Sequence, residues 1–151
     1  WTAAMREAGV VLAIKPHRGG GLSQPSEAAW IIEHLGNPPW LRMVYDWSHY
    51  AFRDLSVEET VKTALPITAH VVVKDIVEVE GKTEFLLPGE SGAFDYARLL
   101  RLFFEGGYRG DVCCEVSSQV WRKPDYDAAK AAAICYRNMA RAFEEAQIPR
   151  G

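Results

Sequence analysis

Four short runs of apolar residues recur along the chain, and a stretch with helical spacing of apolar positions follows each run. Runs rich in Val, Ile and Leu and bounded by Gly or Pro predict buried strands. The predicted strands are residues 10–14, 41–45, 69–73 and 112–116. The predicted helices are residues 25–35, a helix that opens at residue 56, residues 94–104 and residues 127–145, and residues 2–8 are the end of an earlier helix.

The order of these elements predicts an α/β fold with parallel strands, because strands that alternate with helices form parallel β/α units. The runs show no alternation of apolar and polar positions, so both faces of each strand are expected to be buried. Four units make half of an eight-stranded TIM barrel, and a small doubly wound open sheet is the alternative. The triplet at 19–21 gives that alternative little support, because it lacks the G-x-G-x-x-G spacing of a nucleotide loop.

Short polar motifs mark the ends of the predicted helices. Ser23 precedes helix 25–35 as a candidate N-cap. Ser56 and Glu59 have the spacing of a capping box at the next helix. Residues 76–92 are predicted to be a long loop or a small hairpin that turns at residues 80–82.

Charge and cysteine content exclude several classes of protein. The chain has 17 Lys and Arg against 20 Asp and Glu, so it lacks the basic excess of nucleic acid-binding proteins. Its apolar runs are far shorter than the roughly 20 residues of a membrane span. Cys113 and Cys114 lie within a predicted strand, which favours reduced thiols and a cytoplasmic setting. The chain begins at Trp1 rather than Met, so we expect a processed protein or part of a longer one.

Ionisable residues stand at the carboxyl end of every predicted strand. In parallel barrels the loops at these ends meet at one mouth, where the active site lies. Solubility alone would place such charges on helices, so the pattern predicts a functional site. The residues in question, with one aromatic residue that follows the last strand, are Lys15, His17, Asp46, His49, Lys74, Asp75, Glu115 and Trp121.

Five motifs in register carry a family resemblance. They are LAIKPH at 12–17, DWSH at 46–49, HVVVKD at 70–75, LPGE at 87–90 and EVS at 115–117. In this order they resemble the sugar phosphate isomerase/epimerase proteins of the xylose-isomerase-like TIM-barrel superfamily, which also contains apurinic endonucleases. The resemblance covers residues 1–151 and implies that the chain is the C-terminal half of the barrel, strands five to eight.

The resemblance also implies a metal site that is incomplete in this chain. The family binds one divalent ion, and Asp46 and Glu115 match two of its ligands. Lys15 stands where the family has a glutamate, and Val72 stands where it has a ligand histidine. His70 shares a strand face with position 72, but we expect it to lie one layer deeper.

The lysine changes the charge balance of that site. We expect Lys15 to pair with Asp46 and Glu115, because an ammonium group relieves the repulsion between two neighbouring carboxylates. Mn²⁺, Mg²⁺, Co²⁺ or Zn²⁺ suits the family's oxygen and nitrogen ligands, and here we expect such an ion to be absent or weakly bound. A plain structural ion pair of Lys15 with Glu115 and a core role for His70 are the alternatives.

The resemblance implies an enzyme that acts on a sugar or keto-sugar by removing a proton next to a carbonyl. Glu115 is the expected base, Lys15 stabilises the developing oxyanion, and His49 bonds substrate hydroxyls. The expected substrate-binding residues are His17, Lys74, Asp75 and Trp121.

Other readings of the sequence remain open. Dehydratase or lyase chemistry uses the same parts, and the missing ligands also fit a sugar-binding barrel without catalysis. An endonuclease function is disfavoured by the net charge and the few histidines. Besides a small-molecule sugar, the expected partner is the N-terminal half of the barrel or a second copy at the open barrel edges.

Overall fold

The computed structural model describes residues 2–51 and 53–149. Every predicted strand and helix is present, with boundaries moved by a few residues. The helices are α1 (Thr2–Ala8), α2 (Pro25–His34), α3 (Val57–Ala64), α4 (Tyr96–Glu105), α5 (Ser118–Trp121) and α6 (Ala128–Ala146). The strands are β1 (Leu12–Ile14), β2 (Leu41–Asp46), β3 (Thr68–Val73), β4 (Asp75–Val79), β5 (Lys82–Leu86) and β6 (Val112–Cys114). The sequence did not predict α5 or the two 3-10 turns, Trp47–His49 and Leu65–Ile67.

Strands β1, β2, β3 and β6 form one sheet in that order. β1 and β2 run parallel, with Leu12 opposite Leu41 and Ile14 opposite Met43. Helices connect the successive strands, as in β/α units. The predicted α/β fold with parallel strands is confirmed.

The expectation that all four strands are buried on both faces is wrong for the outer two. β1 is only half-buried along its length, and Cys113 in β6 is exposed. β1 and β6 lie at the two edges of the described sheet, where side chains have fewer packed neighbours than those of the central strands. An apolar run predicts that a strand forms, but it does not report how fully other elements cover its two faces.

A β-hairpin fills the segment after β3, as one of the two predicted forms required. β4 and β5 pair antiparallel from Asp75 opposite Leu86 to Val79 opposite Lys82. The two residues between the strands, Glu80 and Gly81, have φ values of 50° and 74°. Positive φ at both central residues is the geometry that joins twisted strands through a two-residue turn.

The described residues pack as two compact units, residues 2–51, 53–71 and 110–112 in the first and residues 72–109 and 113–149 in the second. In the first unit, α2 packs against β2 and α3. Its core includes Ala28, Ile32, Met43, Tyr45 and Val61. In the second unit, α4 packs against α6. Its core includes Leu99, Leu100, Phe103, Cys135 and Met139.

The helix caps agree with the sequence at one helix and differ at another. Ser56 is the N-cap of α3 as predicted, because Glu59 N donates to Ser56 Oγ at 3.1 Å. The capping box itself is not formed: Glu59 Oε2 accepts from Ser56 Oγ at 2.9 Å instead of from the backbone N–H of Ser56. The N-cap of α2 is Gln24, so the prediction of Ser23 is wrong by one residue. Ser23 N instead donates to Glu27 Oε2 at 2.6 Å, which fixes the chain just before the helix. In residues 2–51 and 53–149, no helix is long and apolar enough to cross a membrane.

Candidate active site

A partly buried ion pair lies at the carboxyl ends of β1 and β2. Nζ of Lys15, the residue after β1, lies 2.7 Å from Oδ2 of Asp46, the last residue of β2. The aspartate side chain is 0% exposed and that of the lysine 24% exposed. Burial of an isolated carboxylate is costly, so the lysine offsets a charge that the fold has removed from water. These two residues are brought together as the sequence analysis expected.

The turn after β2 wraps around the Asp46 carboxylate. Oδ1 of Asp46 accepts hydrogen bonds from Ser48 N at 3.1 Å and from Ser48 Oγ at 2.6 Å. Because a 3-10 helix has about three residues per turn, the residue three positions later returns to the same side. Accordingly, Nε2 of His49 lies 3.3 Å from Oδ2 of Asp46. The sequence analysis missed Ser48, although Asp followed two residues later by Ser is a recognisable turn pattern.

The two histidines of this cluster differ in their access to solvent. His49 is 0% exposed, and its ring lies 3.9 Å from that of His17, centroid to centroid. His17 is exposed, and its Nδ1 lies 2.8 Å from Arg18 O. The expected contact of His49 with substrate hydroxyls is therefore not supported, because His49 is covered and faces Asp46. The accessible imidazole is that of His17.

Two arginines that the sequence analysis did not single out tie the loops of this unit together. Arg18 Nη2, in the loop after β1, donates to Ala51 O in the loop after β2. In the opposite direction, Arg53 Nη1, in the loop after β2, donates to Ser23 O at 2.7 Å in the loop after β1. The same nitrogen also donates to His49 O at 3.4 Å within its own loop. Long-range bonds from a side chain to backbone carbonyls leave no local pattern in a sequence. Only the folded chain reveals them.

Two tyrosines lie buried on the core side of the ion pair. Tyr45 OH is 2.9 Å from Thr60 Oγ1, and the rings of Tyr45 and Tyr50 are 5.3 Å apart, centroid to centroid. Burial raises the pKa of both hydroxyls, and the negative charge of Asp46 raises them further. Both therefore stay neutral at physiological pH and serve as packing groups.

A second ion pair lies in the other unit. Nζ of Lys74, the residue after β3, lies 2.5 Å from Oε1 of Glu115, the residue after β6. The lysine side chain is 4% exposed and that of the glutamate 38% exposed. Lys74 also lies over the ring of Phe85, 5.0 Å from its centroid, which is a cation–π contact. In the described contacts the carboxylate of Glu115 pairs with Lys74, a partner that the sequence analysis did not foresee.

Two further expected substrate-binding residues occupy different environments. Asp75 is 1% exposed, and its Oδ2 accepts hydrogen bonds from Ser91 N at 2.8 Å and Ser91 Oγ at 2.7 Å. Its Oδ1 accepts from Ile76 N at 2.9 Å, so the carboxylate holds the loop that follows the hairpin. Trp121, on α5, is 48% exposed and available to a ligand. Lys74 and Asp75 are thus engaged within the protein, which leaves neither well placed to bind substrate.

The side chains at the predicted metal-ligand positions have chemistry that does not suit a divalent ion. Both oxygens of Asp46 are engaged, one of them by an ammonium group that repels a divalent cation. Val72 is buried and offers no donor atom, while His70 is half-buried on the same strand. Within the described residues, no group of three or more His, Cys, Asp or Glu side chains is placed to hold a metal ion. These residues do not fit a divalent ion.

Comparison with known proteins identifies the family. The family described as xylose isomerase-like TIM barrel matches residues 2–139. The chain belongs to this family. The expected resemblance is confirmed, and the four-stranded parallel sheet with its helices corresponds to part of a TIM barrel.

Individual members of the xylose isomerase-like family resemble the chain to different degrees. A Homo sapiens protein named "Putative hydroxypyruvate isomerase" is 31% identical over 94 residues, which are 62% of this chain and 31% of that protein. The structure of L-ribulose 3-epimerase matches with a TM-score of 0.72 and 16% identity, over 96% of this chain and 51% of that one. The IOLI protein with a bound zinc atom matches with a TM-score of 0.71 and 18% identity, over 97% and 52%.

The chain thus spans about a third of the human relative and about half of each solved structure. At these identities the two structures show the shared fold alone. The family match assigns the chain to the xylose isomerase-like TIM barrels. The predicted roles of individual residues in catalysis remain predictions.

Proposed function

We propose that the chain is part of an enzyme that isomerises or epimerises a sugar or keto-sugar, with Lys15 in place of the divalent cation. The observation that carries this proposal is the contact of 2.7 Å between Lys15 Nζ and the buried Asp46 Oδ2. A positive group at a strand end of a parallel barrel lies where substrates of this fold bind. The partial exposure of Lys15 leaves part of its side chain accessible to a substrate oxygen.

The proposed chemistry is proton removal from the carbon next to a carbonyl group. A carboxylate base takes the proton, the electron pair moves to the carbonyl oxygen, and an enediolate forms. Delivery of a proton to the other face of that carbon re-forms the carbonyl group and gives an epimer. Delivery of a proton to the former carbonyl carbon, with the proton of the neighbouring hydroxyl passing to the former carbonyl oxygen, gives an isomer. The Lys15 ammonium stabilises the negative oxygen in this scheme, the role that a metal ion has elsewhere.

Glu115 is the proposed base of this reaction. Its carboxylate is partly exposed, and the Lys74 ammonium at 2.5 Å holds it in place at the end of β6. His17, which is exposed, is proposed to contact substrate hydroxyls, and Trp121 to form an apolar wall of the substrate site. His49 is proposed to act through Asp46 rather than on substrate. The names of the relatives, a hydroxypyruvate isomerase and a ribulose epimerase, support this class of reaction.

Deuterium exchange tests the proposal even when the product of the reaction has not been identified. Full-length protein is incubated in D₂O with hydroxypyruvate and a panel of keto-sugars, and ¹H NMR follows loss of the proton next to each carbonyl. We expect exchange with at least one compound, and a loss of roughly 10²- to 10⁴-fold in Glu115→Gln. Glu105→Gln, an exposed carboxylate on α4, is the matched control and keeps the wild-type rate.

Calorimetric binding of the same compounds separates the alternatives. Binding by Glu115→Gln with no exchange supports Glu115 as the base. Binding by the wild type with no exchange for any compound overturns the enzymatic proposal and favours a sugar-binding barrel without catalysis. Release of water or of a leaving group from the substrate identifies a dehydratase or lyase, and then the isomerase assignment is wrong.

A further inference from the structure

Two loops at the carboxyl edge of the first unit are joined by reciprocal arginine contacts. The first loop, residues 15–24, contributes Arg18, whose Nη2 donates to Ala51 O. The second loop, residues 46–51 and 53–56, contributes Arg53, whose guanidinium reaches back to Ser23. Each arginine thus binds a backbone carbonyl of the opposite loop, and we call this pair the arginine clasp.

Arg53 is the more extensively bonded arginine of the clasp. Its Nη1 donates to Ser23 O at 2.7 Å and its Nη2 donates to Ser23 Oγ at 3.2 Å, so the planar guanidinium grips one residue with both nitrogens. The backbone N–H of Ser23 donates to Glu27 Oε2 at 2.6 Å, so the residue that Arg53 binds is also fixed to the first turn of α2. Charge-assisted bonds of this fork geometry are stronger and more directional than neutral ones.

The same guanidinium contacts the turn that carries the candidate site. Arg53 Nη1 lies 3.4 Å from His49 O, at the end of the 3-10 turn around Asp46. That turn presents the His49 ring to Asp46 Oδ2 at 3.3 Å and to the His17 ring at 3.9 Å. A continuous series of contacts therefore runs from the first loop through Arg53 to the Lys15–Asp46 pair.

We infer that Arg53 is a positioning residue for the proposed reaction. It fixes the turn of residues 47–49 against the first loop, and so holds the His17–His49 stack beside the Lys15–Asp46 pair. Arg53 acts through backbone carbonyls and does not touch the proposed substrate. Because small displacements of reacting groups reduce rates by up to roughly 100-fold, loss of this restraint lowers turnover more than substrate binding. This inference rests on the proposed function only for its kinetic consequence.

The test uses full-length protein and compares Arg53→Ala with Arg42→Ala. Arg42 is the matched control because its guanidinium also donates to two carbonyls, Pro38 O and Leu41 O, both at 2.8 Å, at the start of β2. The first measurement is the NOE between the imidazole protons of His17 and His49. We expect it in the wild type and in Arg42→Ala, and we expect its loss in Arg53→Ala.

The second measurement is the kinetics of deuterium exchange. We expect kcat to fall roughly tenfold to 100-fold in Arg53→Ala with KM changed less than about threefold, and Arg42→Ala to match the wild type. Arg53→Lys keeps one donor to Ser23 but lacks the second nitrogen of the guanidinium group. We therefore expect its kcat and its NOE to lie between those of the wild type and those of Arg53→Ala. If Arg53→Ala does not fold, the comparison of Arg53→Lys with Arg42→Lys replaces it.

The two measurements separate the inference from the function on which it rests. If the wild type shows no exchange, the proposed function fails, but loss of the NOE in Arg53→Ala still supports the positioning role. If the NOE persists in Arg53→Ala and kcat is unchanged, the positioning role is overturned. An equal loss of either signal in Arg42→Ala also overturns it.

Discussion

The Lys15 ammonium lies 2.7 Å from Oδ2 of Asp46 and carries one positive charge where a divalent cation would carry two. Ser48 Oγ and His49 Nε2 also contact this carboxylate, so Asp46 is engaged at both oxygens. The Asp46 side chain is 0% exposed, so loss of the Lys15 ammonium would leave a buried charge without its partner. Such a loss destabilises a protein more than loss of one member of a surface ion pair does.

Lys15→Met tests the strength of this pair, because methionine preserves an unbranched side chain of similar length and removes only the charge. We expect the free energy of unfolding to fall by about 3 kcal/mol, the low end for a broken buried pair, since Lys15 is partly exposed. Urea unfolding at pH 7 measures the change. Lys130→Met is the control: Lys130 lies 3.6 Å from Asp127 and is 82% exposed. It is expected to lose about 0.5 kcal/mol or less, and equal losses in the two variants would refute a special role for the buried pair.

The sequence predicted which residues stand at the strand ends, but not the environment of each. Position at neighbouring strand ends, together with the family resemblance, predicted the contact of Lys15 with Asp46. Burial depends on the path of distant loops, so the covering of His49 by His17 was not predictable. For the same reason the pairing of Glu115 with Lys74 was missed, although both residues had been singled out.

At the scale of elements, the sequence analysis placed the N-cap of helix α2 one residue too early, at Ser23 instead of Gln24. Glu27 accepts hydrogen bonds from Ser23 N and from Gln24 N, at 2.6 and 3.3 Å. Serine is a common N-cap, so the choice of Ser23 followed a general preference. Glu27, the third residue of the helix, sets the position of the N-cap, because its carboxylate accepts hydrogen bonds from both of these backbone amides.

The Glu27 network makes part of the stability depend on pH. The hydrogen bond from Ser23 N lowers the pKa of Glu27 below its ordinary 4.5. A lowered folded-state pKa contributes stability that is present above the unfolded-state pKa and is lost as the pH falls through the folded-state value. We therefore expect Glu27→Gln to lose about 0.5–1 kcal/mol at pH 7, and this difference from wild type to narrow below pH 4.5. Urea unfolding from pH 7 downward measures it, and a difference that does not depend on pH would contradict it.

Gly89, in the LPGE motif, lies too close to Asn138 to leave room for a side chain. Comparison with Gly36, which has a similar backbone conformation, separates this steric effect from the effect of a positive φ. Gly89 and Gly36 both have φ near 78°, but a Cβ at Gly89 would lie 3.0 Å from Asn138 Cβ, whereas Gly36 has no atom within 4 Å. Alanine costs about 1–2 kcal/mol at either site because of the positive φ. We expect Gly89→Ala to lose at least about 1 kcal/mol more than Gly36→Ala. Thermal unfolding provides the comparison, and equal losses would show that Asn138 moves aside without cost.

At the scale of the whole molecule, the edges of the sheet are the feature with the clearest physical consequence. β1 is an outer strand of the described sheet, and Val10 and Val11 just before it are 49% and 48% exposed. Uncovered strand edges and apolar patches favour association. The sequence predicted this property from the number of strands alone, while the particular exposed residues required the structure.

We expect the 151-residue chain to associate with itself at rising concentration. Size-exclusion chromatography with light scattering measures the mass. Val11→Lys places a charge beside the edge and is expected to shift the population towards the monomer. Leu35→Lys, which alters an exposed apolar residue after α2, is the control and leaves the mass distribution unchanged. A monodisperse monomer at every concentration would contradict the expectation.

The central claim, that a lysine stands where the family has a metal ligand and takes the place of the cation, is tested most directly by calorimetric titration of Mn²⁺. Full-length protein is freed of metal with a chelator, and Lys15→Glu, which restores the family's carboxylate, serves as the comparison. The account predicts no submicromolar Mn²⁺ binding to the wild type and tighter binding to Lys15→Glu. Submicromolar affinity of the wild type, or equal affinity of the two proteins, would contradict it.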